Sequence, residues 1–406
     1  MYFPLDCYYS AKNFNISNLN KKNISGKSLL LVVKAYYILR DDFEKYFKTK
    51  IDSPLLFMGY LTIEDNFIRF LSNDDYLIYL NNKELFYENL HHKKYNIDNL
   101  SLNENISFYI SLELYHSNLT VYTDIIFYAA SLENWYKTKQ VFKFNYDFFE
   151  ELKETNFISL LKDNKTIFEY LQYKNFYIDC SNLNFSINVS YDGKLNSDIN
   201  KSEKIKGILI SYYNDYDKIN NEERFKSDSK EDEKYYLDNY FRFITISLIN
   251  ERKYPSFGSV LNLSQMKIAS EDYIKDLDNK CKDNYVSRYI LNILYYLCSE
   301  NREVVLSKNK IPTHTIKNKK EKKDTKEIKM WDVGFRIGAA IHNYNKYVKL
   351  NESETSGIGS KKRPHVRKAH WHRYKTKDGY ILKWLHPIFV NEKFADSDNM
   401  PVTFHK

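Results

Sequence analysis

Glycine, proline and cysteine are scarce in this chain of 406 residues, which holds ten, seven and four of them. So few glycines disfavour backbone loops that cradle nucleotide phosphates, and the sequence has no Gly-Lys-Ser/Thr loop and no Gly-x-Ser-x-Gly elbow. The cysteines show no pairwise spacing typical of metal or redox sites: Cys7, Cys180, Cys281 and Cys298. We therefore predict a reduced, cytoplasmic protein that uses no cofactor.

Long apolar runs are also missing. A membrane-spanning helix needs an apolar stretch of about 18 residues or more, and the best candidate, Ser28 to Leu39, is short and contains Lys34. The segment from Met1 to Tyr9 lacks the basic region and apolar run of a signal peptide. The sequence predicts no membrane span, no signal peptide and no membrane partner, and the length of the Ser28 to Leu39 stretch favours a buried helix.

Positive charge is in excess, and it is concentrated near the C-terminus. The net charge is +8, from 61 Lys and Arg against 53 Asp and Glu. From Leu306 to Lys406 there are 23 basic and 10 acidic residues, a balance of +13, so the remaining 38 and 43 give −5. This distribution favours a phosphate-rich partner or an acidic protein surface, with a solvated lysine-rich surface as the simpler alternative.

The composition changes along the chain indicate several domains, since a domain holds about 150 residues. We predict an aromatic-rich N-terminal domain at 1–145 and a central α+β domain at 146–305. A Lys-rich linker at 306–330 then leads to a C-terminal module of helix and basic β-hairpin at 331–406. The fold class is α+β.

The central domain has the most regular pattern. A helical run begins at Asp147, and short alternating segments follow it with no long connections, which predicts an antiparallel sheet. The predicted strands are Phe176 to Cys180, Phe185 to Tyr191 and Gly207 to Tyr213, and the predicted later helices are Tyr235 to Asn250 and one or two within Asp272 to Leu297. In the C-terminal module, a helical stripe is predicted at Val333, Ile337, Ile341 and Tyr344.

The C-terminal hairpin is predicted from Asp378-Gly379, which lies between two aromatic-rich runs and suits a tight turn. With those residues as the turn, Arg373 pairs with Trp384 and Trp371 with His386. Neither face is cleanly apolar, so we expect rings and cations to be presented outward, where bases can stack. The predicted nucleic-acid or ribosome-binding residues are Arg363, His365, Arg367, His370, Trp371, His372, Arg373, Lys383 and Trp384.

Other interpretations of the same hairpin remain open. His370 and His372 share a strand face, but a zinc site needs a third protein ligand and the expected register places His386 on the other face, so no metal site is predicted. Histidine with arginine and lysine is also a set that cleaves RNA by general acid–base catalysis. In the simplest interpretation, Trp371, Trp384 and Tyr374 pack on the helix from Val333 to Tyr344 and the charges only face solvent.

Several motifs resemble one known family. They are the strand Phe176-Tyr-Ile178, then Leu297-Cys-Ser-Glu300, Trp331-Asp-Val-Gly-Phe-Arg-Ile-Gly-Ala-Ala340, Pro364-His-Val-Arg-Lys-Ala-His-Trp-His372 and Trp384-Leu-x-Pro387. From about Tyr170 to Asn391 the chain is similar to the second family of type V-A anti-CRISPR proteins, carried by plasmids and phages. Where relatives have a Pro-Glu-Trp-Cys run before the first strand, this chain has Gln172-Tyr-Lys-Asn175.

The resemblance implies a protein that lowers synthesis of the RNA-guided nuclease Cas-twelve-a. It implies recognition of the emerging N-terminal peptide of the nuclease during translation, followed by loss of the mRNA. The expected partners are the nascent nuclease peptide and the mRNA or ribosome, and an extended peptide is expected to add to an exposed edge of the central sheet. The resemblance implies a recognition protein rather than an enzyme; the alternative, left open, is an RNA-cleaving enzyme or ribosome-dependent toxin with its site in the hairpin.

Overall fold

The structure is a computed structural model, and it describes only part of the chain. The described residues are 119–157, 159–160, 164–183, 186–188, 202–214, 241–249, 255–262, 285–308, 327–352, 365–377 and 379–390, with scattered positions between 36 and 81. Most of the predicted N-terminal domain, most of the predicted linker and Arg363 lie outside them.

The chain divides into two compact units. The smaller comprises Phe3–Glu133 and Asp215–Leu237, and the larger comprises Asn134–Asn214 and Asp238–Lys406 with Met1–Tyr2. In the smaller unit, the hydroxyl of Tyr37 donates to the carbonyl of Ala129, 3.2 Å away, on the first described long helix, α1 (Leu119–Thr138).

The larger unit contains a mixed sheet of eight strands. The strand order is β6-β5-β4-β2-β1-β8-β7, and β3 pairs with the start of β4. β1 runs parallel to β2 and β8, whereas the other pairs in the sheet are antiparallel. The strands are β1 Gln140–Phe144, β2 Asn175–Asp179, β3 Ser186–Asn188, β4 Ser202–Asn214, β5 Phe241–Ile249, β6 Pro255–Asn262, β7 Val304–Leu306 and β8 Lys329–Val333.

Helices and two small sheets complete the unit. The helices are α2 Tyr146–Lys153, α3 Asn164–Glu169, α4 Tyr285–Cys298 and α5 Phe335–Glu352. β9 (His365–Arg367) pairs with β12 (Ile388–Val390), and β10 (His370–Thr376) pairs with β11 (Gly379–Leu385). The predicted α+β class is confirmed.

The three strands predicted for the central domain are confirmed as β2, β3 and β4, but two other predictions are wrong. The sheet is mixed rather than antiparallel, because β1 reaches β2 through α2 and α3, a crossover that makes the two strands parallel. Of the helix predicted from Tyr235 to Asn250, the described residues 241–249 form β5 instead, which lies between β4 and β6. Pairing on both edges overrides the local helical pattern.

Helix α2 begins where its sequence provides a cap. The backbone of Asn145 is extended, and its side-chain oxygen accepts a hydrogen bond from the amide of Phe148, 3.1 Å away. The buried side chains of the helix, Phe148, Phe149 and Leu152, face the core beneath α4. On the other face of the sheet, Trp135 of α1 makes an edge contact with Tyr177, with ring centroids 6.4 Å apart.

The helical stripe predicted from Val333 to Tyr344 is correct only after its first residue. Val333 ends β8, Gly334 turns the chain with a φ of +67°, and α5 begins at Phe335. The carboxylate of Glu303 caps this helix, accepting from the amides of Arg336 at 2.9 Å and Ile337 at 3.2 Å.

We expect Gly334→Ala to destabilise the protein far more than Gly379→Ala. Both glycines have positive φ, +67° and +127°, so alanine costs roughly 1–2 kcal/mol at either position from the backbone alone. A Cβ at position 334 would also overlap the buried ring of Phe148, whereas one at 379 meets no atom within 4 Å. Urea unfolding of both variants measures the difference, and equal losses would contradict the close packing at Gly334.

Candidate nucleic-acid or ribosome interface

The hairpin of β10 and β11 has a different register from the predicted one. Trp371 pairs with Trp384, Arg373 with Leu382 and Thr376 with Gly379, so the two strands are joined between Thr376 and Gly379. The predicted register is therefore wrong by two residues, because Gly379 serves as the first residue of β11 and not as a turn residue. A shift of two leaves every side chain on its predicted face, since side chains alternate along a strand.

One face of the hairpin is buried in the core. Trp384 is 0% exposed and Trp371 is 8% exposed. The ring of Trp384 packs against Phe148 and Tyr296, with centroids 5.1 and 5.8 Å away, and Trp371 packs against Tyr295 at 5.9 Å. The expectation that these indoles are presented outward is wrong, because the apolar surfaces of α2 and α4 are covered by this face.

The buried indoles are held by polar partners. The indole N–H of Trp371 donates to the side-chain oxygen of Asn292 at 3.1 Å, and that of Trp384 donates to the hydroxyl of Thr155 at 3.1 Å. The Asn292 amide in turn donates to the carbonyl of Thr155 at 2.9 Å. These bonds compensate for burying the polar atoms, and they link α4 and the end of α2 to the hairpin.

The chain after α4 fixes the second strand of the hairpin. Asn301 donates to the carbonyl of Trp384 at 2.8 Å and accepts from its amide at 3.1 Å. The amide of Glu300 donates to the carbonyl of Leu382 at 2.9 Å. The hairpin is therefore docked through backbone as well as side chains, which gives its other face a fixed orientation on the unit.

The opposite face of the hairpin is exposed and carries rings and cations. His370, His372 and Tyr374 alternate along β10, and the rings of His372 and Tyr374 meet edge to face with centroids 4.3 Å apart. The ammonium of Lys383 lies 5.4 Å from the Tyr374 ring centroid and 3.2 Å from a carboxylate oxygen of Glu300. Arg373, Lys375 and Tyr380 share the strand face of Trp371 and Trp384, but they lie nearer the turn and are exposed. We call the exposed part of the hairpin the outer hairpin surface; it comprises His370, His372, Tyr374 and Lys383 with Arg373, Lys375, Lys377 and Tyr380.

The structure thus separates the predicted site residues. It brings His370, His372, Arg373 and Lys383 together on the outer hairpin surface and removes Trp371 and Trp384 from it. His365 and Arg367 lie on β9. The prediction missed four exposed residues that the composition near the turn could have indicated: Tyr374, Lys375, Lys377 and Tyr380. The guanidinium of Arg373 lies 5.9 Å from the ring centroid of Tyr380, and not on Trp384 as expected.

The described residues provide little for metal or thiol chemistry. Within them, no group of three or more His, Cys, Asp and Glu side chains is arranged to hold a metal ion. Burial raises the pKa of the Cys298 thiol to about 12 and raises that of Cys180 well above its usual value, so both thiols are protonated near neutral pH. A ring nitrogen of His370 lies 3.3 Å from the carbonyl of Lys368.

Comparison with known proteins identifies the family. A family described as AcrVA2-like, the anti-CRISPR type V subtype A2 family, matches residues 142–392, which include the mixed sheet from β1 onward and the whole hairpin. The chain belongs to this family. Membership supports an anti-CRISPR function for the chain.

Two further comparisons accompany this result. A crystal structure of AcrVA2 is 17% identical in sequence, with a TM-score of 0.40, and the match covers 69% of this chain and 82% of that one. A search of curated protein sequences gives no match. In the described part of the chain, the helices are too short or too polar to cross a membrane.

Proposed function

We propose that this protein suppresses production of a type V RNA-guided nuclease of the Cas-twelve-a kind. It recognises the N-terminal peptide of the nuclease as it emerges during translation and causes loss of the mRNA. Membership of the anti-CRISPR type V subtype A2 family carries the proposal, because the match spans residues 142–392 and so includes both the sheet and the hairpin.

The geometry supports a contact with RNA or the ribosome through the outer hairpin surface. Exposed cations near the turn, Arg373, Lys375 and Lys377, provide the charge that attracts phosphate. Tyr374 and Tyr380 are 41% and 63% exposed and provide flat rings on which unpaired bases can stack. The docked inner face holds this surface on the same unit as the sheet.

A second function, RNA cleavage by the protein itself, is favoured by one observation. His370 and His372 are both exposed on one strand face, and Lys383 lies opposite His372 in the hairpin register. An imidazole pair beside a cation is a set that can exchange protons with RNA while the cation stabilises the charged intermediate. In this case the outer hairpin surface would act on RNA without a translating ribosome.

We expect message loss to depend on translation of the target peptide. Reporter mRNAs that carry the N-terminal segments of type V nucleases should be depleted when the protein is present, and the same mRNAs with a frameshift across that segment should survive. Northern blotting and reporter fluorescence measure message and protein in parallel. The frameshift keeps almost all of the RNA sequence and changes the peptide, so it separates recognition of the peptide from recognition of the RNA.

Incubation of the purified protein with RNA, without ribosomes, distinguishes RNA cleavage by the protein from translation-dependent loss of the mRNA. Cleavage there, abolished by His370→Ala or His372→Ala, would show an RNA-cleaving enzyme and contradict recognition of the peptide. Equal depletion of the frameshifted reporter would also contradict the proposal. Both histidines are exposed, so their removal is expected to leave the fold intact.

A further inference from the structure

The strand β7 forms one edge of the sheet. The carbonyl of Glu303 accepts from the amide of Gly334 at 3.0 Å, and the amide of Ser307 donates to the carbonyl of Met330 at 2.8 Å. Backbone hydrogen bonds alternate along an antiparallel pair. The backbone N–H and C=O of Val305 therefore point towards β8, and those of Val304 and Leu306 point away from the sheet. In the described part of the chain, no strand pairs with that outer side.

An apolar groove lies beside this edge. It measures about 240 Å³, including the solvent at its open mouth. Its lining includes Phe142, Leu171, Tyr173, Leu297 and Val304, with the polar residues Gln172 and Arg302.

Beyond the groove, the same face of the sheet carries Leu306 and Trp331. Leu306 is 52% exposed and shares the face of Val304, two residues earlier in β7. Its partner in the register is Trp331, which is half-buried and lies 5.7 Å from Tyr173, centroid to centroid. Outward backbone groups and an adjacent row of apolar side chains therefore occur together at this edge.

The charge near the edge is positive. Arg302 donates to the carbonyl of Ser299 at 3.0 Å, and in the described residues its other N–H groups make no hydrogen bond. Lys308 and Lys329 are exposed at the end of the β7 and β8 pair. The sequence from Lys308 to Lys329 holds nine lysines against three acidic residues, Glu321, Asp324 and Glu327.

We propose that the β7 edge beside this groove binds an extended peptide, with an apolar side chain against Val304 and Leu306 and acidic residues towards Lys308 and Lys329. The outward carbonyls of Val304 and Leu306 need N–H donors, and a polypeptide in extended form supplies donors and acceptors at the right spacing. RNA donates from its 2′-hydroxyls and base edges, which do not repeat at the spacing of a β-strand, so a peptide suits this edge better than RNA. This inference rests on the proposed function, for which it specifies where the nascent peptide binds.

The test uses synthetic peptides that tile the N-terminal segment of a type V nuclease, with binding to the full chain followed by fluorescence anisotropy. Leu306→Pro removes an amide that points away from the sheet, so the fold is expected to persist while peptide affinity falls about tenfold. The matched control Leu306→Thr also removes the leucine side chain but keeps the backbone N–H. It is therefore expected to retain more of the peptide affinity than Leu306→Pro. Peptides N-methylated at alternate amides test the same bonds from the ligand side, whether or not Leu306→Pro folds.

Cross-linking identifies the occupant during translation. A photoreactive benzoylphenylalanine in place of Leu306 is expected to attach to the nascent chain. Attachment only to RNA or ribosomal protein, or full affinity for the N-methylated peptides, would overturn the inference. If message loss persists in Leu306→Pro, the edge site fails while the proposed function stands. If peptides bind at the edge and no message is lost, the edge site stands and the proposed function fails.

Discussion

Replacing Trp384 with alanine is expected to lower the free energy of unfolding by about 3–5 kcal/mol, the range for truncating a buried aromatic side chain. The indole is fully buried against Phe148 and Tyr296, and its N–H donates to the hydroxyl of Thr155. The substitution removes ring contacts from α2 and α4 and leaves a cavity where the hairpin docks. Urea unfolding followed by circular dichroism measures the loss.

Two variants serve as controls for Trp384→Ala. Tyr380→Ala removes a ring from the same strand where it is 63% exposed, and we expect a change within about 0.5 kcal/mol. Trp384→Phe keeps most of the ring and loses the N–H donor, so its effect should lie between the other two. If Trp384→Ala costs no more than Tyr380→Ala, the inner hairpin face is not docked in the core.

Local signals in the sequence predicted the faces of the hairpin but not what covers them. Alternation predicted that Trp371 and Trp384 share one face, which is correct. The error of two residues in register did not change this result, because a shift of two leaves every side chain on the same face. The burial of this face depends on Asn292 and Thr155, which precede their indole partners by 79 and 229 residues. No local pattern shows that α2 and α4 supply a surface for the indoles.

In the central region, too, some of the secondary structure depends on contacts between residues that are distant in sequence. Short strands with clear alternation, such as β2, were predictable because their pattern matches the pairing that forms. The segment that became β5 carries apolar and aromatic residues at spacings that fit a helix of moderate length equally well. Its state is set by β4 and β6 on either side, and those contacts are not local.

The docked indoles hold the exposed part of the hairpin in a fixed position. Since the buried indoles and the Asn301 bonds fix the hairpin, the exposed cations can be changed without loss of the anchor. Stability and partner binding are therefore expected to separate between the buried and the exposed residues of the hairpin: variants of Trp371 and Trp384 affect unfolding, and variants of the outer hairpin surface affect binding. A fixed surface also loses little conformational freedom when it binds, which favours affinity.

The combined variant Arg373→Ala, Lys375→Ala and Lys377→Ala is expected to weaken binding to single-stranded RNA or ribosomes by about ten- to a hundredfold. Each phosphate contact on a single strand contributes about 0.7 to the slope of log affinity against log salt, so removing three should lower that slope by about 2. Fluorescence titrations with a labelled RNA, and sedimentation with ribosomes, across a series of salt concentrations measure both quantities.

A variant with the same change in net charge is the control: Lys137→Ala, Lys204→Ala and Lys346→Ala, three exposed lysines away from the hairpin. If attraction comes only from the overall positive charge, both variants lose affinity and salt dependence equally, and the outer hairpin surface has no special role. If the hairpin contacts phosphate directly, its variant alone changes the slope, because only closely held phosphates release their counterions. Unchanged unfolding in both variants would show that the loss arises at the exposed cations and not from a change in the docking of Trp371 and Trp384.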